Sequence, residues 1–131
     1  MIQEVVERKP VRTISLAELR DELARHAPLK LVMTLNEWAF RAKHIPTSLH
    51  FNNSAEMQAA LKKDEEIVVY CSNVACLGSV AAYYFLVDHG YTNVRRFAGG
   101  LIEWEDAGLP LEGEWAAPAA EPSSVLPSSS R

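Results

Sequence analysis

Cys71 and Cys76 stand five positions apart in the stretch Cys71-Ser72-Asn73-Val74-Ala75-Cys76-Leu77-Gly78-Ser79. The preceding run Ile67-Val68-Val69-Tyr70 is short, apolar and rich in β-branched residues, which reads as a buried strand. From Val80 onward, Ala81, Ala82, Tyr84, Phe85 and Val87 read as a helix, with Ser79 as its N-cap. Cys71 therefore falls where a buried strand passes through a short loop to a helix N-terminus. Unpaired backbone N–H groups and the positive end of the helix dipole favour a thiolate over a thiol there. The chemistry this implies is that of a nucleophilic sulfur.

A buried core cysteine is the plainer reading of Cys71, and its place at the end of the strand rather than its middle argues against it. For Cys76 two readings stand: a small loop residue facing the helix, or a second thiol that takes sulfur from Cys71 or closes a disulfide with it. The second reading requires a Cα separation below roughly 7 Å. Two thiolates fall short of the four ligands zinc usually takes. His26, His44, His50 and His89 have no ligand spacing relative to them, so no metal is expected.

The chain of 131 residues suits one domain with its own core. Apolar residues make up 48% and charged residues 23%, an ordinary balance for a globular protein. A net charge of −4 argues against nucleic acid and anionic membranes as partners, because both reward basic surfaces. No apolar run reaches the ~18 residues of a membrane span, and residues 1–12 lack the apolar centre of a signal peptide. The expected compartment is the cytoplasm, where thiols stay reduced.

Ser15-Leu16-Ala17-Glu18 predicts a capping box opening a helix with a Leu16, Leu19, Leu23 stripe. Residues 29–35 read as a strand, and 37–43 as a helical turn with Trp38 and Phe40 as packing residues. His44-Ile45-Pro46-Thr47 reads as a turn, with His44 bonding a backbone carbonyl, and 48–51 as a further short strand. A helix capped by Ser54 runs through Lys62. Gly90 closes the helix after the cysteine loop, 94–97 form another strand, and Gly99-Gly100 turn into a last helix over 101–107. Trp104 and Tyr91 read as core, and Arg41, Arg95 and Arg96 as surface residues, with drawing an anion to the mouth of the site as their other reading. Residues 113–131, rich in Ala, Pro and Ser, predict a disordered tail. This alternation implies an α/β fold of three layers: a mainly parallel central sheet of about five strands, with helices on both faces. Sites in such sheets lie beyond the carboxyl ends of the strands, where Cys71 falls.

Taken together, these residues resemble the rhodanese-like domain. The matching pieces are Ile14-Ser15 before the first helix and His44-Ile45-Pro46 in place of the family's Gly-His-Ile-Pro-Gly-Ala. The strand into Cys71, Gly90-Tyr91-Thr92-Asn93-Val94, Gly99-Gly100 with Trp104, and Ala107-Gly108-Leu109-Pro110-Leu111 complete the set. The resemblance spans residues 13–112, with 1–12 as an N-terminal extension. It implies sulfur transfer without a cofactor: Cys71 takes a sulfane sulfur, carries it as a persulfide and yields it to a thiophilic acceptor. It also implies that the backbone amides of Ser72, Asn73, Val74, Ala75, Cys76 and Leu77 surround the anionic terminal sulfur. The implied partners are a small-molecule donor of thiosulfate or persulfide type and a small-molecule or protein-thiol acceptor.

Three departures matter. Met33-Thr34-Leu35 replaces a common Asp-Val-Arg, and Cys76 stands where many active members carry Arg. The late helix start also leaves room for a longer loop. Loss of the arginine disfavours thiosulfate, whose oxygens suit paired N–H donors. The alternatives are a redox or sulfide-sensing module cycling Cys71 and Cys76 between thiol and disulfide, and a non-catalytic binding module. A related fold houses phosphatases with a Cys-x5-Arg loop, but Leu77 occupies the arginine position here.

Overall fold

The structure, a computed structural model, describes residues 10–116. Three strands, β1 (Leu29–Met33), β2 (Glu66–Tyr70) and β3 (Asn93–Phe97), form a parallel sheet in the order β1-β2-β3. Their registers run without a slip from Leu29↔Glu66 to Met33↔Tyr70, and from Glu66↔Asn93 to Tyr70↔Phe97. Five helices accompany them: α1 (Leu16–Ala24), α2 (Glu37–Ala42), α3 (Ser54–Ala60), α4 (Gly78–Asp88) and α5 (Gly100–Asp106).

The sheet has three strands rather than about five. The segment expected as an outer strand, 48–51, contributes a single parallel bridge instead, Leu49 beside Val32, and Thr13, ahead of the first helix, makes another beside Arg96. Each is cut short by its neighbours. Thr47, at φ +73°, turns the chain just before Leu49, and Asn53 caps α3 just after it. Thr13 is followed at once by the Ser15–Glu18 capping box, whose two reciprocal bonds are 3.0 and 3.1 Å.

Side chains alternate across the pleat and divide the core in two. Leu31, Met33, Val68, Tyr70 and Phe97 pack with Leu19 of α1 and Trp104 of α5. Val32, Ile67, Val69 and Val94 pack with Met57 of α3 and with Tyr83 and Leu86 of α4. The expected three layers are therefore present, and Trp104 and Tyr91 are core residues as predicted.

Three smaller expectations need correcting. Trp38 is 64% exposed and meets Trp115 edge-on at 5.0 Å, because α2 turns that residue outward. The cap of α3 is Asn53 rather than Ser54: its Oδ1 accepts the Glu56 N–H at 2.8 Å, and the helix ends at Ala60. Ordered chain also continues past Glu112, where Glu114 and Trp115 donate N–H bonds to the carbonyls of Arg41 and Ala42. The remainder of the expected tail, and residues 1–9 of the N-terminal extension, lie outside the described residues.

Tyr70, the last residue of β2, ties the 44–48 turn to the sheet. Its hydroxyl accepts the Ile45 N–H at 3.0 Å and shares a 2.7 Å bond with the Ser48 hydroxyl. His44 donates from Nδ1 to the Phe40 carbonyl at 2.7 Å. Burial pushes the Tyr70 phenol up to about 12, with the bonds to Ser48 and Ile45 opposing the shift. Between its ordinary value and that one, the unfolded chain has released the phenolic proton while the folded chain retains it. Stability from Tyr70 is thus complete below about pH 10 and falls by about 3 kcal/mol as pH rises toward about 12. Urea denaturation across this range should show the fall in the wild type. Tyr70→Phe should start less stable and lack this part of the alkaline slope; equal slopes would refute the assignment.

Candidate functional site

The pleat decides which way Cys71 faces. Along β2, Ile67 and Val69 point to the α3–α4 side, while Val68 and Tyr70 point to the opposite side. The next residue, Cys71, returns to the α4 side, where a Cβ on Gly78 would lie 3.5 Å from Cys71 Sγ. Cys71 is 1% exposed, buried with the core residues at the end of β2 but outside both large apolar clusters.

The N-terminus of α5 seats that loop. The Leu101 N–H donates to the Cys71 carbonyl and the Ile102 N–H to the Ser72 carbonyl, both at 2.9 Å. Gly100 makes the approach possible: its φ is +65°, and a Cβ there would meet the Cys71 carbonyl oxygen at 2.5 Å. Gly99-Gly100 thus does more than turn the chain, since any side chain at residue 100 would lift α5 off the cysteine backbone.

Cys71 and Cys76 are joined in a disulfide, with a Cα–Cα distance of 6.2 Å. That satisfies the separation required of a second thiol. Asn73 folds the loop between them: its carbonyl accepts the Cys76 N–H at 3.1 Å, and its Oδ1 accepts the Ala75 N–H at 2.9 Å. Of the amides expected to surround the sulfur, those of Ala75 and Cys76 are therefore directed to Asn73. Val74 and Leu77 form the rim, 66% and 72% exposed.

Beneath the loop lies Arg96, which sequence reasoning assigned to the surface. It is 8% exposed. Its Nε donates to the Ser79 hydroxyl at 2.7 Å, and its Nη2 donates to the carbonyls of Val74 and Cys76 at 3.1 and 3.2 Å. Among the described residues no carboxylate pairs with it. A buried cation held by neutral acceptors leaves positive charge under the loop. A usable signal was present: strict alternation from the apolar Val94 puts Arg96 on the same face, near the carboxyl end of its strand.

Arg96 also explains why Ser79 is not a cap. Helix α4 begins at Gly78 with no side-chain cap, and the buried Ser79 gives its hydroxyl oxygen to the guanidinium. The loop between Cys71 and the helix is accordingly residues 72–77, not the longer one expected. Arg95 points the other way, where Glu22 holds it with two bonds of 3.0 and 3.1 Å and Glu66 with a third of 3.0 Å. Those hydrogen bonds to Glu22 raise its affinity for its proton further, so Arg95 fastens α1 to the sheet. Arg41 lies on the surface beside Glu37 and Glu114.

A cavity of about 290 Å³ opens on the same side. Leu35, Phe51, Met57, Ala82 and Phe85 make its walls, and no charged residue lines it. Thr34 and Gly78 form its edge toward Cys71, with the Thr34 hydroxyl donating to the Tyr70 carbonyl at 3.1 Å. Among the described residues no three His, Cys, Asp or Glu side chains gather as a metal site. Nor is any described helix long and apolar enough to cross a membrane.

Removing the guanidinium should loosen the loop as a unit. Arg96→Met strands the Ser79 hydroxyl and two loop carbonyls, at a cost of about 2–5 kcal/mol in unfolding free energy. In a glutathione redox buffer that holds the wild type half oxidised, the variant should contain less Cys71–Cys76 disulfide. A variant with unchanged stability and an unchanged oxidised fraction would contradict this role.

Comparison with known proteins agrees with this geometry. Residues 15–107 match the family profile of the rhodanese-like domain. The thiosulfate sulfurtransferase GlpE of Actinobacillus succinogenes is 36% identical over 67 residues, half of this chain and 59% of that protein. The HTH-type transcriptional regulator Rv0324 of Mycobacterium tuberculosis is 33% identical over 75 residues, 56% of this chain. The chain thus spans only a third of that regulator and about three-fifths of that sulfurtransferase. The BH2092 protein of Bacillus halodurans shares the fold, with a TM-score of 0.70 at 23% identity, covering 83% of this chain and 82% of its own. With residues 15–107 matched by that family's profile, this chain belongs to the rhodanese-like domain family.

Proposed function

We propose that the domain is a sulfurtransferase in which the Cys71 thiolate accepts a sulfane sulfur, carries it as a persulfide and passes it to a thiophilic acceptor. The observation that carries this reading is the seating of Cys71 at the end of β2, above buried Arg96 and braced by the first amides of α5. A persulfide is an anion, and an unneutralised cation held beneath the loop stabilises one. The Cys71–Cys76 disulfide is the resting oxidised form, and its reduction frees the nucleophile. A reducing compartment such as the cytoplasm suits that cycle.

The donor best suited to this site is an organic persulfide. The adjoining cavity is mostly apolar and holds no charged residue. The guanidinium nearest the loop in the hydrogen-bond network, Arg96, is engaged with carbonyls beneath it. Thiosulfate, the compound for which the GlpE relative is named, carries oxygens that would have no arginine to pair with at position 76. The acceptor is a small thiophile or a protein thiol. The disulfide itself favours one other reading, a redox module in which no sulfur is transferred.

Loading reduced Cys76→Ser protein with glutathione persulfide should give an ion about 32 Da heavier, absent when Cys71 is also replaced by Ser. A missing charge-assisted pair is worth about 1.5–3 kcal/mol, so thiosulfate should load roughly 10- to 100-fold more slowly. Equal rates from both donors would remove the donor assignment. An adduct that survives Cys71→Ser would remove the carrier.

A further inference from the structure

We infer that Cys76 is a resolving thiol that expels the sulfur carried on Cys71 as sulfide, so that the domain releases sulfide as well as transferring sulfur. This rests on the persulfide reading of Cys71 and adds a second fate for the carried atom. The two sulfurs are bonded in the structure with their Cα atoms 6.2 Å apart, so Cys76 reaches the inner sulfur of Cys71 without any movement of the backbone.

Cys76 is also held in place from both sides. Its N–H donates to the Asn73 carbonyl, and its own carbonyl accepts from Arg96. A nucleophile fixed beside its target reacts with a high effective concentration. Geometry also separates the two possible attacks. An outside thiophile meets the terminal sulfur and carries it away, leaving Cys71 as thiolate. Cys76 meets the inner sulfur, the atom to which it is bonded here.

The step balances as an ordinary thiol–disulfide exchange. The Cys76 thiol passes its proton to the outer sulfur of the anionic Cys71 persulfide and, as thiolate, attacks Cys71 Sγ; a Cys71–Cys76 S–S bond forms, and the bond to the outer sulfur breaks. The electron pair of that bond leaves with the outer sulfur as HS⁻. The carried sulfur is reduced to sulfide, and the two cysteine sulfurs are oxidised to the disulfide. A dithiol reductant then restores both thiols. It attacks at Cys76, the half-buried member, and Cys71, the buried one, departs as thiolate. The net reaction converts an organic persulfide and a dithiol into a thiol, sulfide and a disulfide. This chemistry gives a role to a cysteine in the place where many relatives of this fold carry arginine.

The test compares wild type with Cys76→Ser and Cys76→Ala, each reduced, desalted and given one equivalent of glutathione persulfide with no other thiol present. Sulfide is captured with monobromobimane, and the protein is weighed intact. The wild type should release about one sulfide per chain and end about 2 Da lighter, while both variants keep about 32 Da and release sulfide at least about tenfold more slowly until dithiothreitol is added. Sulfide release at the wild-type rate from the loaded variants, or a wild type that keeps its adduct, overturns the resolving role alone. Variants that never gain sulfur overturn the persulfide reading beneath it.

Discussion

One buried guanidinium organises the site. Arg96 reaches from β3 to the first turn of α4 through Ser79, and to the cysteine loop through the carbonyls of Val74 and Cys76. Three neutral acceptors hold one cation, so the chain tolerates its burial without cancelling its charge. Everything above depends on it. The loop keeps its shape, Cys76 stays opposite Cys71, and an anionic sulfur has a positive potential beneath it. Parallel pairing of β3 with β2 sets the placement, since Arg96 lies in register with Val69, two residues before Cys71 and on the same face.

A second constraint works from above. Gly100 lets α5 approach the cysteine backbone, and two helix amides then fix the Cys71 and Ser72 carbonyls. The loop is thus pinned on its carbonyl side by a helix, by a guanidinium and, through Asn73, by itself. Rigidity of this kind suits the proposed carrier, whose sulfur keeps a fixed place at the end of β2. The uncharged cavity beside Gly78 and Thr34 opens on the same side of the sheet as Cys71, with no charged residue in its lining.

The parts of the molecule legible in the sequence are those governed by local rules. The β-branched run before Cys71 marks β2, the Ser15–Glu18 pair marks the start of α1, and Gly90 at φ +91° ends α4 as expected. What escaped reading depends on contacts between distant residues. Ser79 has the composition of an N-cap, but Arg96, seventeen residues further on, claims its oxygen. Arg96 itself looks like one of two adjacent surface arginines, although only Arg95 has carboxylates to meet it. The outer strand at 48–51 failed for a related reason: apolar character at Leu49 predicts burial, which it has in part, but not enough extended neighbours to build a ladder.

The central claim is that loop and guanidinium together favour the thiolate form of Cys71. The direct measurement is the rate of iodoacetamide alkylation of Cys71 against pH, in reduced protein carrying Cys76→Ser so that one thiol reports. The account predicts a titration midpoint below the roughly 8.5 of a free cysteine, moving upward when Arg96 is replaced by Met. A midpoint at or above the free value, unmoved by that replacement, would contradict it.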